Sequence, residues 1–336
     1  MFVASAGPLG EGTGGAVRYY SLARYALLDA LRLFGVGRGH RVLLPSFLCR
    51  EVLAPITMLG ATPCWYEIEP GLTPVGSPDM WPEAAVVLAI NYFGFAQDMA
   101  PFVAYSHRTG AKIIEDNAHG YLSRDAQGRW LGTRAPLGLF SLRKTIRIPD
   151  GAALSVNEAL LVKGLPEQLP FDENGLHQAQ VLKTRMRHIP LIGSRLLRIA
   201  TFTARGIRKY KTGSAAPLSD PLLETQIGVA PNPWIGLLSA VAQLDNGSEI
   251  VRRREAYSRC ALEGQRCGVA PVFTILPDHC VPYGYPFRGD DSGCASMRRV
   301  AGRMGFDLVA WPNLPNVFER PFPAYYRNVF MVNFLW

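Results

Sequence analysis

Lysine is scarce in this chain. Of 35 basic residues only six are lysine (Lys112, Lys144, Lys163, Lys183, Lys209 and Lys211), which leaves 29 arginines. A lysine in such a background is a candidate for amine chemistry, because a guanidinium cannot lose its proton and condense with a carbonyl carbon. Paired cysteines are also lacking: Cys49, Cys64, Cys260, Cys267, Cys280 and Cys294 are scattered, with no CxxC and no histidine at ligand spacing, so buried or free thiols are expected and no metal site. Apolar runs such as Ala84 to Ile90 fall far short of the ~18 residues that span a bilayer, so no transmembrane helix is expected. Met1 to Gly15 is Gly-rich and lacks the basic patch and continuous apolar stretch of a secretion signal, which favours the cytoplasm. Zinc-finger, RRM-like and helix-turn-helix signatures are missing too, so the net charge of +8 does not argue for nucleic acid. No internal repeat is present.

What is there reads as a large α/β enzyme with one core, or one large domain plus a smaller one, at 336 residues. From Ser21 to Phe34 the apolar positions Ala23, Ala26, Leu27, Ala30, Leu31 and Phe34 recur at helical spacing, with Ser21 where an N-cap belongs. Short β-rich runs follow at Arg41 to Pro45, Thr62 to Ile68, Ala85 to Asn91 and Ala111 to Glu115, separated by helical stretches at Leu48 to Leu59 and Met99 to Thr109. Alternating strands and helices predict a mostly parallel sheet flanked by helices, and such sheets bind ligands at the carboxyl ends of their strands. Those ends carry Pro45-Ser46, Asn91-Tyr92 and Asp116-Asn117. After Gly151 the pattern loosens, with a loop over Gly164 to Gly175. Lys183 to Lys211 forms a basic amphipathic segment, suited either to solvated helix faces or to weak contact with anionic lipid heads or a nucleotide diphosphate. A helix-like run spans Trp234 to Leu262. The remainder mixes short strands with one helix around Ser292 to Met304. The expected division is a large α/β domain over 1–215 and a smaller α+β domain over 216–336.

The informative stretch is Lys112 to Ala153. Asp116 follows a strand, and a carboxylate there can pair with a protonated pyridine nitrogen and strengthen the ring as an electron sink. Leu139-Phe140-Ser141 reads as another strand end, with Lys144 three residues on, flanked by Arg143 and Arg147. A lysine whose pKa is lowered by burial and nearby cations can form an imine and move protons. Taken singly, an Asp such as Asp116 is more often a loop or capping residue and a Lys such as Lys144 usually a solvated one; their order and context join them. Asn91 and Tyr92 end a neighbouring strand and lie within reach of a cofactor or substrate, or serve as a capping Asn and a core Tyr. Cys49 suits a buried helix-start thiol better than a site residue near the cofactor.

The segments ARYALLDAL, GHRVLLPSFLCREVLAPITMLGATPCWYEIE, INYFGFAQDM, KIIEDNAHG, LGLFSLRKTIRIPDGAAL, RRREAY at Arg252 to Tyr257, VPYGYPF and WPNLP resemble the DegT/DnrJ/StrS group of pyridoxal-phosphate (PLP) dependent sugar aminotransferases, over about Arg24 to Pro315. The resemblance implies the fold type I architecture, with a seven-stranded sheet in the large domain and an α+β C-terminal domain. It also implies that Asp116 pairs with the pyridine nitrogen, that Lys144 forms the Schiff base, and that His119, three after that Asp, lies by the ring or its phenolic oxygen. Ser141 looks like a phosphate ligand, and the first phosphate loop falls at Ser21 to Arg24, where the backbone N–H groups of Ala23 and Arg24 would hold phosphate. This loop reads Leu22-Ala23 where family members carry Gly-Ser or Gly-Thr. Cys49 stands where an aromatic often stacks on the ring, with Phe47 as a substitute. The SLRK spacing is shorter than usual, and an Asn-x-Arg sugar motif is not recognisable.

The implied activity is transfer of an amino group from an amino acid, glutamate or glutamine, to a nucleotide-linked keto-sugar by a homodimer, in surface-glycan or related biosynthesis. Sugar dehydration or oxidative deamination with PLP is an alternative, dehydration being disfavoured because the family's dehydratases have His in place of the lysine. A non-catalytic scaffold that keeps the fold is the rival from another class.

Overall fold

Runs of Val, Leu and Ile too short for helices, each closed by a proline or a polar residue, condense into a sheet whose central strands are buried on both faces. The computed structural model describes residues 7–9, 15–172, 203, 221–316 and 321–335. In it, β1 (Ala16–Tyr20), β2 (Arg41–Pro45), β3 (Thr62–Tyr66), β4 (Val86–Ile90), β5 (Lys112–Asp116), β6 (Leu137–Phe140) and β7 (Ala152–Val156) form one seven-stranded sheet in the order β1-β7-β6-β5-β4-β2-β3. The links from β6 through β5, β4 and β2 to β3 are all parallel, and β7 runs antiparallel to both β6 and β1. The expected α/β class and mostly parallel sheet are therefore what the chain forms. Its strand order reverses between β2 and β4, which opens the crevice at their carboxyl ends where such sheets take ligands.

Helix α1 (Ala23–Leu33) buries Tyr25 to Leu31 and ends where Gly35 takes a left-handed turn (φ 70°). Helices α2 (Leu53–Met58), preceded by a 3₁₀ turn at Arg50–Val52, and α3 (Ala100–Thr109) connect the strands. The short α4 (Ala159–Val162) follows β7. The C-terminal part contains α5 (Leu237–Ala242), α6 (Asn246–Arg266), α7 (Asp291–Met304) and α8 (Ala324–Arg327), of which α6 and α7 pack on a four-stranded sheet. Its strands are β8 (Ala270–Pro271), β9 (Gly284–Arg288), β10 (Asp307–Ala310) and β11 (Val329–Asn333), all antiparallel in the order β10-β11-β9-β8.

Several expectations change. Ser21 is not the cap of α1: Leu22 is, in extended conformation and with no side-chain cap. The pattern does not loosen after Gly151, where β7 begins, and β1 pairs with it; neither strand has the β-branched alternation that marks a half-buried strand. The run from Trp234 to Leu262 is two helices, broken where Asp245 accepts a hydrogen bond from the Ser248 N–H and caps α6. The basic segment at 183–211 and the 215/216 boundary lie outside the described residues, apart from Thr203. Among the described residues no helix is long and apolar enough to cross a membrane.

One buried ion pair ties the strand ends together. Arg134, with 3% of its side chain exposed, meets Glu115 (0%) at 2.7 Å. It also donates to the Asn91 Oδ1 at 2.9 Å and the Gln97 carbonyl at 3.1 Å. Asn91 Nδ2 in turn donates to Glu115 at 2.8 Å and Asn117 at 3.3 Å. Removing one partner of such a pair strands a charge away from water, at a cost of about 3–5 kcal/mol. Arg134→Leu is expected to lose that much stability in urea unfolding; a change under about 1 kcal/mol would show that the pair does not hold the strand ends.

Candidate active site

The carboxyl ends of β4, β5 and β6 and the start of α1 enclose a cavity of about 280 Å³. Of the residues singled out in the sequence, Ala23, Arg24, Cys49, Asn91, Asp116, His119, Ser141 and Lys144 all line it. Ser21 does not. It is 1% exposed, its carbonyl accepts the Gly151 N–H at 2.8 Å, and its hydroxyl is buried without a partner. Asn91 lines the wall with every amide atom committed, since its Oδ1 also accepts the Gln97 N–H at 2.9 Å, so it acts as a buttress. Tyr92 is core, its hydroxyl donating to the Phe47 carbonyl at 2.5 Å. Phe47 is no stacking substitute either: its ring is fully buried against Tyr92, Trp311 and Tyr326. The cavity residues without an expected role are Glu51, Tyr283 and Trp311 among others. The last two arrive from more than a hundred residues downstream, and the only trace of them in the sequence was their place in VPYGYPF and WPNLP.

Lys144 closes a 3₁₀ turn (Leu142–Lys144) directly after β6. The loop is pinned by Arg143 N–H to the Gly151 carbonyl at 3.2 Å. Gly151 sits at φ 146°, and a Cβ there would come within 2.7 Å of Ile148 and Leu237, so the glycine is required for the turn. Arg253, 1% exposed on α6, straps the loop from the other side. It donates to the carbonyls of Lys144 at 3.1 Å and Thr145 at 3.4 Å, and to those of Pro282 at 3.2 Å and Tyr283 at 3.3 Å, while Glu249 at 2.6 Å balances its charge.

The Lys144 Nζ lies 3.0 Å from the His119 Nε2. His119 is held in place by the Phe93 N–H, which donates to its Nδ1 at 3.1 Å, and by ring stacking on Tyr283 (4.6 Å, 10°). Phe93 adopts left-handed backbone angles (φ 55°, ψ 17°), a conformation that costs an L-residue roughly 1–2 kcal/mol. Burial dominates the protonation of every group here. It lowers the Lys144 pKa, with Cys49, Asp116 and Glu51 opposing and Arg143 assisting. It drives His119 well below its ordinary value, and Lys144 adds to that. It raises Asp116, against the Ala118 N–H that donates to Oδ1 at 2.9 Å and the nearby Lys144. The Cys49 thiol is pushed up to about 12 by burial, with Lys144 opposing, so it is protonated at neutral pH.

These residues fit PLP. The N-terminus of α1 faces the cavity with no side-chain cap and no acidic residue in its first turn. Arg24 is placed in that turn, where a cation is unfavourable unless an anion shares the site. Ser141, Asp116 at the end of the central strand, and Lys144 line the same cavity. Among the described residues no group of three or more His, Cys, Asp or Glu could hold a metal ion.

Residues 20–170 match the model of the DegT/DnrJ/EryC1/StrS aminotransferase family. Among curated proteins, Protein MosB of Rhizobium meliloti is 30% identical over 145 residues, 41% of this chain. A UDP-N-acetyl-3-dehydro-alpha-D-glucosamine 3-aminotransferase of Acidithiobacillus ferrooxidans is 26% identical over 120 residues, 34% of this chain. The matched stretches span 28% and 32% of those relatives' lengths. Of solved structures, a DegT DnrJ EryC1 StrS aminotransferase from Brucella abortus has a TM-score of 0.61 at 18% identity, covering 97% of this chain and 82% of that one. Helicobacter pylori PseC, an aminotransferase involved in the biosynthesis of pseudoaminic acid, also scores 0.61, at 14% identity, covering 95% and 81%. At these identities the likeness establishes the fold.

Arg253→Leu is expected to destabilise the chain by about 1–3 kcal/mol, because buried carbonyls lose their donor, while Glu249 keeps Arg252 at 2.7 Å. The lysine loop should also become exposed, read as loss of amide-exchange protection over 142–146. Unchanged protection there would show that the strap does not position Lys144.

Proposed function

We propose that this chain, whose residues 20–170 match the DegT/DnrJ/EryC1/StrS aminotransferase family, is a PLP-dependent aminotransferase. The observation that carries this reading is a half-buried lysine amine and a strand-end carboxylate lining one cavity with the uncapped, arginine-bearing start of a helix. When bound, PLP supplies an aldehyde that carries the amino group and a ring that takes up electrons. The chain's own residues do the rest. The first-turn N–H groups of α1, Arg24 and Ser141 would bind the phosphate. Asp116, oriented by the Ala118 N–H, would hold the pyridine nitrogen protonated. Lys144 would anchor the cofactor and then carry a proton to and from the substrate carbon. Trp311 and Tyr283 would cover the site and limit water.

The substrates we assign are an amino acid donor, glutamate or glutamine, and a keto-sugar carried on a nucleotide. The printed names of the Acidithiobacillus and Helicobacter proteins support the sugar, and Arg24 and Arg143 in the cavity suit acidic ligands. We further assign the chain to the cytoplasm, as a homodimer. Residues 1–215 would form the cofactor domain and 216–336 the smaller one.

Adding PLP to the purified protein is expected to produce a visible absorption band that Lys144→Ala abolishes, with a borohydride-stable adduct on Lys144 alone. A colourless wild-type protein without that adduct would instead favour the non-catalytic scaffold. Once the band is present, its bleaching by glutamate and its return on adding a nucleotide keto-sugar test the substrates.

A further inference from the structure

A large aromatic residue in left-handed backbone is retained only where its surroundings over-determine it, and such positions gather at working sites. Phe93 is one of only two such non-glycine residues among those described, the other being Leu72. Both of its peptide groups are in use. Its carbonyl accepts the Tyr283 N–H at 2.8 Å, and its N–H points at the His119 Nδ1, 3.1 Å away. The next residue, Gly94 (φ 90°), could not carry a Cβ, which would lie 2.6 Å from the Val281 carbonyl oxygen. The turn is therefore fixed in the one form that aims the Phe93 N–H at the imidazole.

A ring nitrogen that accepts an N–H carries a lone pair and no proton. With Nδ1 unprotonated, His119 is neutral and its single proton is on Nε2, the atom 3.0 Å from Lys144 Nζ. Rotating the ring by half a turn would aim C–H groups at both partners. A donor N–H directed at Nζ needs a lone pair there; an ammonium would meet it proton against proton. From this geometry we infer that Phe93 is a positioning residue: its backbone N–H fixes His119 in the Nε2–H tautomer, and that tautomer holds Lys144 as a free amine at neutral pH.

The other groups facing Lys144 divide. Glu51, from the turn before α2, and Asp116, from the end of β5, favour the ammonium, while the Cys49 thiol is uncharged at neutral pH. Arg143, on the lysine's own turn, and burial favour the amine. The Tyr283 ring lies 5.6 Å from Nζ, while Arg253 touches only the Lys144 carbonyl. Because two carboxylates pull toward the charged form, a directed donor on the amine has an equilibrium to tip. The amine nitrogen can then bond an aldehyde carbon and give up its two protons as the carbonyl oxygen leaves as water, with no prior deprotonation by solvent.

The inference deepens the proposed function and rests on it for the use made of Lys144. Two measurements test it. In cofactor-free protein with ¹⁵N-labelled histidines, the His119 ring shifts should report an unprotonated Nδ1 and a protonated Nε2 between about pH 6 and 9. An imidazolium or the opposite tautomer would overturn the inference. The initial rate at which PLP is trapped on Lys144 by borohydride, followed by peptide mass spectrometry, should already be near its maximum at about pH 7.5. In His119→Leu the midpoint should move toward the ordinary lysine value of about 10.4, slowing trapping at neutral pH by about tenfold or more. His119→Gln should restore the neutral-pH rate, because its amide can accept from Phe93 and donate to Lys144. An unmoved midpoint in His119→Leu means that burial alone sets the amine, and the inference fails. A wrong tautomer with a normal adduct overturns the relay alone, whereas a correct tautomer with no adduct overturns the proposed function.

Discussion

The site stands on the buried pair between Arg134 and Glu115. Glu115 is the penultimate residue of the central strand and fully enclosed; left unpaired, its charge would not be tolerated there. Arg134 neutralises it, and its remaining donors reach Asn91 and Gln97, so the ends of two neighbouring strands are set by one guanidinium. Asp116 follows directly in the chain and Asn117 after it. The orientation of the carboxylate in the cavity is thus inherited from a pair beneath the cavity floor.

Above that floor, desolvation acts on acid and base in opposite directions. It raises Asp116 and lowers Lys144 and His119, so each is drawn toward its neutral form and toward proton exchange with a neighbour. The single directed contact that separates the two bases is the hydrogen bond from Phe93. The strain in that residue and the uncapped, cation-bearing start of α1 have a common character: both are locally unfavourable, and both serve the cavity, the first by holding His119 in its wall and the second by lining it. Local conflicts of this kind are expected where function overrides propensity.

Much of the large sheet was legible. Strands β2, β4 and β5 fall within a residue or two of where hydrophobic runs and their polar ends put them, because buried parallel strands need continuous Val, Leu and Ile. The first and seventh strands were not legible, since AVRYY follows a glycine-rich stretch and AALSV is short and buried on both faces, with no period-2 contrast. Asp116, His119, Ser141 and Lys144 were readable from a short segment, because sequence neighbours became spatial ones. Arg134 and Arg253 were not, since among 29 arginines a structural one carries no distinguishing mark. Ser21 misled because a serine before a helix resembles a cap, yet extended Leu22 occupies that position. Tyr283 and Trp311 depend on tertiary closure that no local pattern encodes.

Arg253 carries a mechanical consequence. A single guanidinium grips the carbonyls of Lys144 and Thr145 on one side and those of Pro282 and Tyr283 on the other, while its own helix packs on the smaller sheet. Any displacement of that C-terminal layer is transmitted along the chain into the reach of the lysine, so the lever arm of the amine is metered from a part of the molecule that contributes little of the chemistry itself.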